Sequence, residues 1–109
     1  MSTEAVIVLV TTSGEEEAVR IGSLLVEERL AACCSMVRGV RSIYRWEGKV
    51  CDETECLMLI KTTRGRVSSL KDRVAAVHSY DVPEVLVLDV SGGLPPYLAW
   101  LEKSVQAIA

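Results

Sequence analysis

The 109-residue chain has no phenylalanine, and its aromatic residues are two Trp and three Tyr. It has one histidine and three prolines. A single imidazole cannot by itself make a metal centre, so any such site needs thiols or carboxylates from elsewhere, including from another subunit. There is no basic excess. Twelve Lys and Arg stand against fifteen Asp and Glu, a formal net charge of −3. That excludes the basic stripe of a nucleic-acid binder. No apolar run approaches the ~20 residues of a membrane span. The start, Met1 to Glu4, lacks a basic segment, and Ala5 to Val10 is too short for a signal peptide's apolar region. The expected compartment is the cytoplasm. None of the four cysteines forms a CxxC pair. Phosphate-cradling GxxxxGK[ST], GxSxG and HExxH motifs are missing as well, so no catalysis is expected.

What the chain does have is aliphatic mass. Half of it is apolar, mainly Val, Leu, Ile and Ala. The length predicts one domain, residues 1–109, able to fold without disulfide or metal. Ala5–Thr12 is apolar on both parities and reads as a strand buried on two faces. Ser13 is the expected N-cap of a helix, with Glu16 completing a capping box. Ala18, Ile21 and Leu25 form its apolar stripe, and its end is expected near Leu30. Extended chain follows from Ala31. Gly39 predicts a bulge, and Trp46 to Lys49 a tight turn with Gly48 at positive φ. The strand resumes over Val50–Thr62. Arg66–Val77 reads as a second helix, His78–Glu84 as a loop, Val85–Val90 as a fourth strand, and Tyr97–Ile108 as a third helix carrying Leu98, Leu101, Val105 and Ile108.

The order is β-α-β-β-α-β plus a terminal helix. It predicts an α+β, ferredoxin-like sandwich with a long β2–β3 hairpin. Two helices cover one sheet face, yet three strands are apolar on both. One chain alone would expose a broad apolar patch, so homo-oligomerisation is expected.

Candidate site residues follow. His78 opens a polar loop beside Tyr80, Asp81 and Glu84. A core histidine and a ligand-binding one are both open readings. Lys61 ends an apolar strand run, either snorkelling or meeting an anion. Tyr44 and Trp46 share a parity and suit an interface or a stacked ligand. Asp52, Glu53 and Glu55 read as a solvated rim with weak attraction for cations. Cys33 and Cys34, as strand neighbours, point to opposite faces.

Glu28 to Cys33, Gly39, Ser42 to Lys49 (SIYRWEGK), Ile60 to Thr62, His78 to Glu84 (HSYDVPE) and Tyr97 to Trp100 resemble, in order, the CutA divalent-cation tolerance proteins. The resemblance implies a homotrimer in which long hairpins pair across subunits. It also implies a role in tolerance to divalent metals, copper above all. The family's recurring positions fall on Cys33, Tyr44, Trp46, Lys61, His78, Tyr80, Pro83, Glu84 and Trp100. Tyr44, Trp46, Lys61, Tyr80, Glu84 and Trp100 are thus expected at an inter-subunit cleft. Some members are similar in using a strand-end cysteine and a histidine pair for copper. This chain has Val10 and Val77 at those places, and Ser79 for a proline. His78 with Cys33 or Cys34 are then the remaining donors for copper or another divalent cation. The other reading is a trimeric module similar to the PII proteins, binding a small anionic effector in the cleft through Lys61, His78, Tyr80 and Glu84.

Overall fold

Ala5–Thr12 is an unbroken run of apolar and β-branched residues. It forms β1, an inner strand of the structure, a computed structural model that describes residues 3–106. Next come helix α1 (Glu15–Glu27), strands β2 (Cys33–Trp46) and β3 (Lys49–Thr63), and a 3-10 turn over Arg64–Arg66. Helix α2 (Val67–Val77), strand β4 (Leu86–Asp89) and helix α3 (Pro95–Ser104) complete the chain. The sheet order is β2-β3-β1-β4, antiparallel throughout, as the β-α-β-β-α-β reading requires.

Strand parity divides the molecule. Val6, Val8 and Val10 of β1 and Cys56, Met58 and Ile60 of β3 face Ala18, Ile21 and Leu25 of α1 and Leu70 and Val74 of α2. Burying each large side chain contributes about 1.5–3 kcal/mol. Gly22 lets α1 lie close on the sheet, since a Cβ there would sit 3.3 Å from the Cβ of Cys34. Among the described residues the opposite parity is covered at one end, where Leu101 and Val105 close over Ala5 and Ala32. Beyond that end Ile7 pairs with Leu88 and Leu9 with Leu86. Leu86 and Leu88 remain 56% and 48% exposed.

The hairpin is as long as expected, and its two special positions lie where the glycines predict. Gly39 has φ 69°, and the β2–β3 register shifts between Val37 and Val40. At the tip Glu47 and Gly48 both have positive φ, 49° and 78°, which matches a turn to the twist of its strands.

Both ends of α1 and both ends of α3 differ from expectation. Helix α1 is capped by Gly14, not by a Ser13–Glu16 box. The Thr12 hydroxyl donates to the Gly14 carbonyl at 2.7 Å, and Glu17, one residue later than expected, accepts from the Ser13 backbone N–H and hydroxyl, each at 3.2 Å. The helix stops at Glu27 because Arg29 turns left-handed, φ 59°. The Arg29 N–H then bonds the Val26 carbonyl and the Leu30 N–H the Leu25 carbonyl, a Schellman end with arginine at the position glycine favours. Helix α3 starts at Pro95, since prolines suit the first positions of a helix, where N–H groups have no helical partner. It ends at Ser104, short of the expected run, since Val105 already leaves the helical conformation at φ −108°, and Ile108 lies outside the described residues.

Candidate functional site

The loop after α2 is pinned from below. His78 follows Val77 directly, and its side chain is fully buried. The Tyr80 N–H donates to Nδ1 at 3.0 Å, so that nitrogen is bare. Nε2 therefore carries the hydrogen and donates to the Thr11 carbonyl at 2.8 Å. The ring packs on Tyr80, centroids 4.6 Å apart. The Ser79 N–H donates to Glu17 at 2.8 Å. Burial alone would raise the Glu17 carboxyl, but hydrogen bonds from Ser79 and Ser13 outweigh it and hold it below the usual glutamate range.

This anchoring aims Tyr80. Its hydroxyl donates to Glu55 Oε2 at 2.7 Å, and Glu55 is only 7% exposed. The two belong to a cleft of about 740 Å³ between the hairpin and the loop, walled by Tyr44, Trp46 and Tyr80 and holding Glu53, Glu55, Asp81 and Glu84. Among the described residues Arg41 is the one basic side chain lining it. Its guanidinium is committed to Asp52, with bonds of 2.9 and 2.6 Å. Negative charge and burial act together on the acidic groups of the cleft wall. The Tyr44 phenol is pushed up to about 12, first by its hydrogen bond to Glu53 and then by burial. Burial and the Glu55 carboxylate raise both Tyr80 and Glu84.

Of the six residues expected at an inter-subunit cleft, Tyr44, Trp46, Tyr80 and Glu84 share this one. Lys61 does not line it. Its ammonium reaches Ser35 Oγ at 2.7 Å and Cys33 Sγ at 3.5 Å on the open sheet face. Lys61 pairs with Ile7, whereas Thr11 lines the cleft, four residues further along β1 and so roughly 13 Å away at ~3.3 Å per residue. Trp100 lies on α3, packed on Tyr97 with centroids 5.4 Å apart. That helix covers the Ala5 end of the sheet, away from the cleft.

The expected donors His78, Cys33 and Cys34 are not brought together. Both His78 nitrogens are occupied. Cys34 packs against the core side, its thiol pushed up to about 12 by burial. Cys33 sits on the other face beside Lys61. These residues do not fit a copper centre. Among the described residues no three His, Cys, Asp or Glu side chains converge to hold a metal ion.

The sequence reads Glu53 and Glu55 as a solvated rim, whereas the fold brings both to the Tyr80 loop in one cleft and buries Glu55. A parity signal existed, since Glu55 alternates with Leu57 and Leu59 rather than with the core residues Cys56 and Met58. The bulge hid which partner it would meet.

An antiparallel α+β sandwich with a long hairpin and an acidic, aromatic-walled cleft is a narrow class, and the comparisons agree on which one. The CutA1 divalent ion tolerance protein family matches residues 6–104, so the chain belongs to that family. It is 48% identical over 98 residues to the divalent-cation tolerance protein CutA of Thermus thermophilus, covering 90% of this chain and 95% of that one. It is 41% identical to the chloroplastic protein CutA of Arabidopsis thaliana over 94% of this chain, and spans 56% of that longer protein. The crystal structure of CutA from Xylella fastidiosa superposes with a TM-score of 0.93 at 36% identity, covering 95% of this chain and all of the other. Among the described residues no helix is long and apolar enough to cross a membrane.

Proposed function

We propose that this chain serves divalent-cation tolerance as a homotrimer, meeting copper and similar ions weakly at its cleft and carrying out no catalysis. The observation that carries the reading is the charge of the cleft: four carboxylate residues and one arginine already paired outside it. Such a cleft concentrates cations without a tight coordination sphere. An anionic effector is not favoured, because it would meet those carboxylates while Lys61 lies elsewhere. The uncovered sheet face supports assembly, and the number three comes from the family resemblance. Four free cysteines suit a reducing cytoplasm.

Titration with copper(II) tests the metal reading, with manganese(II) as an ion that thiols bind poorly. The double variant Glu53→Gln/Glu84→Gln should weaken both ions by about tenfold. Unchanged affinity in that variant removes the cleft from cation binding. Light scattering on Leu88→Asp tests the assembly, since an unpaired charge buried at an interface costs about 3–5 kcal/mol per copy. A variant that stays trimeric with unchanged melting would show that this face is not the interface.

A further inference from the structure

The cleft has more than a charge. Tyr44, Trp46 and Tyr80 wall it, and Ile43, Val82 and Pro83 add apolar surface. Its volume of about 740 Å³ falls in the range of sites that enclose small organic molecules and far exceeds what a bare ion fills. Its carboxylates are spread around the wall and make no three-donor cluster with one another. One of them has an oxygen free for a ligand. Glu55 is more than nine-tenths buried, and Oε2 accepts from Tyr80. Its other oxygen takes no hydrogen bond from the described residues and is not sealed from the cleft.

A carboxylate oxygen open to the cleft, on a residue otherwise nine-tenths buried and set among aromatic faces, suits one kind of ligand. Aromatic faces attract cations through the ring quadrupole, and most strongly when the cation is weakly hydrated and carries an apolar body. A metal ion strips its water only for several converging donors. A protonated amine needs one or two acceptors and a wall to lie against.

We propose that this cleft binds an organic ammonium ion, its charged head donating to Glu55 and its apolar body lying against Trp46 and Tyr44. Glu53, Asp81 and Glu84 supply the surrounding negative field. The proposal uses the same cleft as the metal reading but does not depend on metal binding.

Three probes of one shape test it by calorimetry on the full-length wild type: phenethylammonium, the neutral 2-phenylethanol and the anionic phenylacetate. The ammonium should bind, the alcohol at least about tenfold more weakly, and phenylacetate not at all. Glu55→Gln and Trp46→Leu should each weaken the ammonium by about fivefold or more. Glu55→Gln also disturbs the Tyr80 bond, so Glu84→Gln, which leaves that bond intact, serves as the second carboxylate variant and should weaken the ammonium too. Equal binding of ammonium and alcohol overturns the proposal, as does no heat with the ammonium up to about 10 mM. Copper(II) binding without ammonium binding also overturns it. Ammonium binding without copper(II) binding supports it and overturns the metal reading instead.

Discussion

Replacing His78 by alanine separates a structural histidine from a metal ligand. The ring is fully buried, and each nitrogen serves one backbone group. Alanine leaves the Thr11 carbonyl without its donor and the Tyr80 N–H without its acceptor. Each such orphan costs about 1–3 kcal/mol. The missing ring leaves a void that adds about 1 kcal/mol or more. The expected loss is therefore about 3–7 kcal/mol, a large share of the ~5–15 kcal/mol that holds most domains together. Urea unfolding followed by tryptophan fluorescence measures it. His78→Gln places an amide N–H near the Thr11 carbonyl and should recover about 1 kcal/mol or more. Copper(II) affinity, measured where the variants remain folded, should stay within about twofold of wild type. A loss below about 1 kcal/mol, together with a tenfold drop in copper affinity, would refute the reasoning and make His78 a ligand.

Tyr80→Phe removes the hydroxyl that serves buried Glu55 and should cost about 1.5–3 kcal/mol in the same unfolding assay. Glu17 is held below the usual glutamate range, so its stabilisation is present above the unfolded-state value and fades as pH falls through the folded one. Glu17→Gln should therefore lower stability at neutral pH and flatten the acid limb of a stability–pH profile. Arg29→Gly relieves a left-handed arginine at a Schellman end and should raise stability by about 0.5–1 kcal/mol, read as a higher urea midpoint at unchanged slope.

The strand and helix order was legible because period-2 and period-3.6 patterns are local. Val6, Val8 and Val10 announce one sheet face, and Ile21 and Leu25 the helix that covers it. Helix ends were less legible. Whether Glu16 or Glu17 reaches back to Ser13 depends on how the Thr12 hydroxyl holds Gly14. The candidate site divided along the same line. Tyr80 and Glu84 could be found in one short loop, and Tyr44 and Trp46 share a strand parity. That Lys61 and Trp100 stand apart from them follows only from where β3 and α3 run in the fold.

By itself the sequence determined the fold class, the long hairpin with its glycine bulge and turn, and a surplus of aliphatic surface that two helices cannot cover. Those are consequences of residue periodicity and backbone permission, which neighbours along the chain decide. Only the tertiary structure decided the chemistry of the site. It sealed His78 between Thr11 and Tyr80, turned Cys34 toward the core and Cys33 away from it, and carried the hairpin's Glu53 and Glu55 to the Tyr80 loop. Hydrogen bonding and charge act through distances of a few ångströms across the sheet, and sequence spacing does not report those distances.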